Sequence, residues 1–331
     1  MHRRVFLASA AAFAAFPAYA ASEIALFDAA VDLISSNPKR YPLVGPGSPA
    51  QGGFPRGTSP PGFGPQQGLG RPIPTAELVL QWMLALNVKR IAAVQNQPAY
   101  GYDNSYLLDT AEIYPAQMSP VVMIDVSRNS TATFLHNMIE HKGVAAIRLT
   151  GGPATDGTYP WVASDQALQI WQVAADTGIV IDLMYLPPVY SDRALDTIVG
   201  LAEKFPTVRI VLDCIGWPDI QNTPPYSINA KYAAIASHKN IYFKFTSTNI
   251  YVLEVAGVPA DRFLAHAVDV LGADHVMWGS ELGTAGGTYE ELVGKGRAAA
   301  ARLSDDDRQL VLHDTGNGFF IRGGLPTALP G

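Results

Sequence analysis

Apolar and polar positions along the chain follow two rhythms. Short runs rich in Val, Ile, Leu and Phe recur at 24–33 (IALFDAAVDL), 89–95 (KRIAAVQ), 120–126 (PVVMIDV) and 144–150 (VAAIRLT). They continue at 178–185 (GIVIDLMY), 208–214 (VRIVLDC), 240–247 (NIYFKFTS) and 275–281 (HVMWGSE). Runs this short and this apolar predict strands buried on both faces. Between them lie longer stretches such as TAELVLQWMLALN, ASDQALQIWQVAADTG, DRALDTIVGLAEKFP and PADRFLAHAVDVLG. Their apolar residues fall three and four apart, which predicts amphipathic helices. Thr75, Asp165 and Asp192 stand where helices should start, and Gly178 and Gly272 where they should stop. Eight alternating strand–helix units predict an α/β fold, the (β/α)8 TIM barrel. An open doubly wound sheet is the alternative, although no G-x-G-x-x-G follows any strand.

Two segments break the rhythm. Residues 1–20, MHRRVFLASAAAFAAFPAYA, combine a basic start, an apolar run and a small-x-small ending at Ala18–Tyr19–Ala20. That pattern predicts a cleaved export signal and a periplasmic or secreted protein. The Arg3–Arg4 pair ahead of Val5–Phe6–Leu7 suits the twin-arginine form, with ordinary secretion as the alternative. Residues 21–331 then form a single barrel domain. Within it, residues 44–74 are more than half Gly and Pro, an insertion after the first strand. A stretch of this length is either a lid, with Phe54, Arg56, Phe63 and Arg71 available to cover a ligand, or a long surface loop.

Composition narrows the function classes. The formal charge is −6, and it falls by two more if Arg3 and Arg4 leave with the leader. A mildly acidic chain without basic runs argues against nucleic acid and anionic membranes, leaving a small-molecule substrate as the expected partner. Oligomeric state is not legible. The one cysteine, Cys214, has no partner for an internal disulfide.

In a barrel of this kind the carboxyl ends of the strands converge on one site. The polar residues there are Asp28, Asp32, Gln95, Gln97, Arg148, Asp182, Tyr185, Asp213, Cys214, Lys244 and Glu281. Simple alternation puts Asp28, Ala30 and Asp32 on one face of the first strand. None of the seven histidines falls at a strand's carboxyl end. Lys244 and Arg148 either anchor a substrate or pair with the acids in a buried network. No His is placed to activate Cys214, which suits an inert core thiol better than a nucleophile.

The segments FDAAVDL…RYPL, VQNQPAYGYDNSYLLD, GVAAIRL, FPTVRIVLDCIGWP, NIYFKF and VMWGSE together resemble the amidohydrolase-related family. The similarity is to its branch of lactonases and lactone isomerases, which includes 2-pyrone-4,6-dicarboxylate lactonase and galactarolactone isomerase. The family pattern D-A-H-x-H on strand 1 places histidines at Ala30 and Asp32. Its D-H-x-G-R-P places a histidine at Cys214 and an arginine at Trp217, and its W-G-S-D places an aspartate at Glu281. Arg148 and Lys244 agree as they stand. With three imidazoles replaced, the resemblance implies an enzyme with no metal and no cofactor, since carboxylates and one thiol suit zinc poorly. It implies hydrolysis or isomerisation of a lactone-like ester, with Glu281 as general base, Asp32 as partner acid and Lys244 as electrostatic anchor. Arg148, Tyr185, Trp217, Gln97, Tyr100 and Asp213 are the implied substrate-binding residues, Trp217 favouring a less anionic or more aromatic substrate. A decarboxylase or lyase on the same barrel, or a non-catalytic barrel that binds a small molecule, are the alternatives.

Overall fold

Each apolar run becomes a parallel strand because helices cover its outer face while the other strands cover its inner one. The computed structural model describes residues 24–44, 72–127, 131–185, 192–221 and 223–321. The predicted leader and most of the Gly/Pro-rich segment, with Phe54, Arg56, Phe63 and Arg71, lie outside these. The strands are β1 (Leu26–Asp32), β2 (Val88–Val94), β3 (Met118–Met123) and β4 (Ala146–Gly151). β5 (Val180–Tyr185), β6 (Ile210–Leu212), β7 (Ile241–Thr246) and β8 (Val276–Gly279) complete the set. They pair in sequence order, all parallel, in one eight-stranded sheet. Closure runs just beyond β8: Asp32 N donates to Leu282 O at 2.7 Å and Glu281 N to Ala30 O at 2.7 Å. The fold is a (β/α)8 barrel, and the doubly wound alternative is excluded.

Local chemistry sets the helix ends. The Thr75 hydroxyl accepts from Leu78 N ahead of the helix Ala76–Ala85. Ser164, one residue before the expected Asp165, caps Asp165–Thr177, and Gly178 ends that helix in the left-handed region at φ 72°.

Two apolar layers result. The outer one lies between strands and helices, and includes Leu26, Val31 and Leu33 of β1 and its extension. The inner one fills the barrel with Phe27, Ala29, Val94, Val121, Ala146, Val180, Val211 and Met277. Phe319 and Phe320, at the end of the helix Thr315–Phe319, belong to it as well. Phe320 stacks on Phe27, and Arg209 Nη1 holds Phe319 O at 2.7 Å, so this helix plugs the amino-terminal end of the barrel.

β1 corrects the expected alternation. Asp28 pairs with Ile91, yet Val31 pairs with Ala93, so three steps on β1 match two on β2. Phe27 and Ala29 face the barrel interior, whereas Val31 and Leu33 face the helices. The slip at Ala29–Ala30 reverses parity. Asp28 and Asp32 therefore lie on opposite sides of the sheet.

Candidate active site

Four charged residues, on β4, β5 and β7 and in the position just after β6, interlock inside the barrel. Lys244 Nζ lies 2.7 Å from Asp182 Oδ2 and 3.0 Å from Asp213 Oδ1. Arg148 Nη2 reaches the same Asp182 oxygen at 3.1 Å and Asp213 Oδ2 at 2.5 Å. Lys244 and Asp182 are fully buried, and the other two nearly so. The structure thus realises the buried ion-pair alternative for both cations. Burial opposes ionisation of Asp182, but Arg148 and Lys244 outweigh it and hold its pKa below the ordinary carboxylate value. Asp213, desolvated and beside that second acid, is pushed up. Burial works against the Arg148 charge, and Asp182, Asp213 and Asp32 more than restore it.

Two further carboxyls stand at the mouth without such a partner. The slip in β1 turns Asp32 toward Arg148 and Glu281, where burial raises its pKa to about 7. Arg148 opposes that rise, and the Glu281 charge adds to it. Glu281 follows β8 in a left-handed conformation, φ 52°, which is costly for a side chain this size and marks a constrained position. Its Oε2 accepts from Thr248 N at 2.8 Å and Thr248 Oγ1 at 2.5 Å. Burial nevertheless raises its pKa, against the pull of those hydrogen bonds. The Thr284 hydroxyl lies 3.1 Å from Asp32 Oδ2 and 3.2 Å from Glu281 O, tying the two segments together. Gly283 makes this approach feasible: at φ 99°, a Cβ there would sit 2.0 Å from Asp32 O.

Asp28 has a different role. It takes Ser280 N at 2.8 Å, Ala30 N at 3.1 Å and the Tyr289 hydroxyl at 3.0 Å. Tyr289 opens the helix Tyr289–Ala299, so Asp28 faces the outer layer and latches β1 to the end of β8. Its burial raises its pKa to about 6.

The chain leaving β6 makes an unusual turn. Cys214, Ile215, Gly216 and Trp217 all have φ between 51° and 63°. Three of these are not glycine, and Ile215 is β-branched, so the turn persists only because neighbours fix it. The Tyr185 hydroxyl donates to Gly216 O, Tyr232 Oη approaches Ile215 O at 3.1 Å, and Asn249 Nδ2 donates to Cys214 O at 2.9 Å. Tyr185 is thereby a buttress of the turn, its hydroxyl engaged by the backbone. Cys214 Sγ sits 3.9 Å from Glu281 Oε1, with its pKa driven well up by burial. Trp217 is buried, and its Nε1 has no hydrogen-bond partner among the described residues.

The loop after β2 is also built on its own polar groups. Tyr100 Oη accepts from Ser35 N at 2.7 Å, and Gln95 Nε2 donates to Gly101 O and Asp103 O. Gln97 is buried at the start of the short helix Gln97–Tyr100. Arg148, Asp213, Lys244, Asp32 and Glu281 are thus brought together, while Tyr100 and Tyr185 support loops. Thr248 and Thr284, which hold the two mouth carboxyls, carry no sequence signal that separates them from other loop threonines. Of the histidines, His266 meets Ile228 O, while His275 and His313 meet neighbouring aspartates.

A family model described as Amidohydrolase matches residues 74–316. This chain belongs to the amidohydrolase family. The barrel superposes on a Pseudomonas putida structural-genomics target named for 2-pyrone-4,6-dicarboxylic acid hydrolase at a TM-score of 0.64, with 18% identity. That match covers 90% of this chain and 98% of the other. A 2,6-dihydroxybenzoate decarboxylase from Rhizobium superposes at 0.57 with 12% identity, covering 90% and 98%. A dihydroxybenzoic acid decarboxylase from Polaromonas sp. JS666, with bound manganese and 2-nitroresorcinol, superposes at 0.54 with 15% identity, covering 75% and 86%. At these identities the structures establish the barrel and no more. No curated protein matches the sequence.

Manganese in one such barrel raises the question of whether this amidohydrolase has ligands for a metal. Ala30 offers no donor, Asp28 is turned outward, and Glu281 Oε2 is held by Thr248. Among the described residues no group of three or more His, Cys, Asp or Glu side chains is placed to hold a metal ion. The donor set does not fit a catalytic zinc, which takes three protein ligands and keeps one position open.

Proposed function

We propose that this amidohydrolase opens a lactone or similar cyclic ester by general acid–base catalysis. The observation that supports the reading is the pair Asp32 and Glu281: two carboxyls at the barrel mouth whose ionisation burial disfavours, with the Glu281 charge adding to the rise at Asp32 and the Asp213 charge to that at Glu281. Asp32, its pKa raised to about 7, keeps its proton below that pH and can serve as the acid, with Glu281 beside it as the base. Glu281 Oε1, which the Thr248 contacts leave with only the weak Cys214 thiol contact at 3.9 Å and a Thr246 hydroxyl near the carboxylate, accepts a proton from water as the water oxygen attacks the ester carbonyl. Arg148 supplies N–H donors to the oxygen that gains charge. Asp32 then gives its proton to the ring oxygen as the C–O bond breaks. Turnover of a lactone panel by the purified chain tests this. Glu281→Gln should lower kcat by roughly 10²–10⁴, and full activity in that variant would refute the assignment.

The leader pattern at residues 1–20 supports export. N-terminal sequencing of protein recovered from a bacterial periplasm should begin just after Ala20; an intact leader on cytoplasmic, active protein would contradict it.

A further inference from the structure

The charges at the barrel mouth are unevenly matched, and the mismatch constrains what the site accepts. Among the described residues there, Arg148 and Lys244 are the cations, and both are held by Asp182 and Asp213. Two positive and two negative charges close on themselves within 3.1 Å. Asp32 and Glu281 stand outside that closed set, so the charge left over is negative.

What Arg148 retains is hydrogen-bonding capacity. Its Nη1 meets only the Met184 sulfur, at 3.9 Å, among the described residues. Trp217 adds an indole N–H, buried and without a partner among those residues, at the end of the turn that leaves β6. Both groups suit the lone pairs of a carbonyl or ring oxygen, and neither supplies uncompensated positive charge.

We propose that the site takes an uncharged cyclic ester, with an apolar or aromatic ring, and discriminates against the same ring bearing a carboxylate. An anionic substituent would meet Asp32 and Glu281, both buried, where like charges oppose one another more strongly than in water. The proposal rests on the hydrolase reading for its reaction, but its charge preference is measurable without turnover.

The test uses a matched pair, dihydrocoumarin and a dihydrocoumarin carboxylate, with the full chain at low ionic strength. The uncharged lactone should show kcat/KM at least about tenfold higher. Preference for the carboxylate would overturn the inference and leave ester hydrolysis intact. If neither compound turns over, ligand-induced thermal stabilisation decides the charge preference, and the hydrolase reading fails only if the wider lactone panel is inert as well. Stabilisation by the uncharged member alone supports the inference; stabilisation by the carboxylate, by both equally or by neither overturns it. Asp213→Asn removes one compensating charge and should move the ratio about tenfold toward the carboxylate. An unchanged ratio in a folded Asp213→Asn protein would also overturn it, and should that variant not fold, the wild-type ratio decides.

Discussion

Replacing Lys244 by Met isolates the buried network. The substitution keeps most of the side-chain stem, so the cavity term is small and the loss is chiefly electrostatic. It removes contacts of 2.7 Å and 3.0 Å and leaves Asp182 and Asp213 with Arg148 alone. Both acids are buried, so water cannot take over the role of the lost ammonium. Breaking a buried pair in this way costs about 3–5 kcal/mol. At about 1.5 °C per kcal/mol for a chain of this length, the melting temperature should fall by roughly 4–8 °C. The effect also has a pH signature. Asp182 is held below the ordinary carboxylate value in the native protein, so its contribution is complete above the unfolded pKa and fades as pH falls through the folded one. Without Lys244 the stranded acids can regain neutrality by protonation. The penalty should therefore be largest at pH 7 and shrink toward pH 4. Unfolding followed by circular dichroism for Lys244→Met, Asp182→Asn and the double variant measures both size and coupling, the latter expected to reach at least about 1 kcal/mol. A loss below about 1 kcal/mol at pH 7, or one independent of pH, would refute the reasoning.

The remaining expectations concern the mouth. Asp32 has its pKa raised to about 7, so the folded protein binds a proton that the unfolded chain has released, and ionised Asp32 destabilises the fold increasingly as pH rises toward that value. Asp32→Asn should accordingly stabilise the protein at pH 8 by up to about 4 kcal/mol, while reducing activity; a gain at pH 4 as large as that at pH 8 would contradict this. The kcat/KM profile should be bell-shaped, falling on the alkaline side near pH 7 as Asp32 loses its proton and on the acid side as Glu281 gains one. Cys214 is fully buried with its pKa well up, so iodoacetamide should label it in denaturant and spare it in the native protein, as followed by mass spectrometry. Rapid native labelling would show that the turn after β6 opens.

The barrel was legible because eight apolar runs and the helices between them carry two distinct periods, and burial on both faces leaves parallel strands little polar content. The charged residues at strand ends were legible for the same reason: Arg148, Asp182, Asp213 and Lys244 interrupt runs that are otherwise apolar. Their pairing was legible only as one of two alternatives, since inward direction depends on how the strands stagger around the barrel. The side to which Asp28 points was misread because one extra residue in a strand leaves no mark in composition. The turn at Cys214–Trp217 was invisible too: three non-glycine residues in the left-handed region violate local preference, and neighbours such as Tyr185 and Asn249 impose it. Thr248 was hidden by a different ambiguity, since a threonine near a helix start reads first as a cap.

The slip at Ala29–Ala30 separates two ways in which this site can change over generations. Which acid occupies position 28 or 32 drifts by substitution, one codon at a time. Which of them reaches the mouth is a matter of counting, because parity along a strand follows the number of residues and not their kind. Gain or loss of a single residue between them acts like a change of reading frame, exchanging inside for outside without altering any side chain. Relatives compared position by position across this strand should therefore be aligned in two independent halves, with a permitted gap at the pair of alanines.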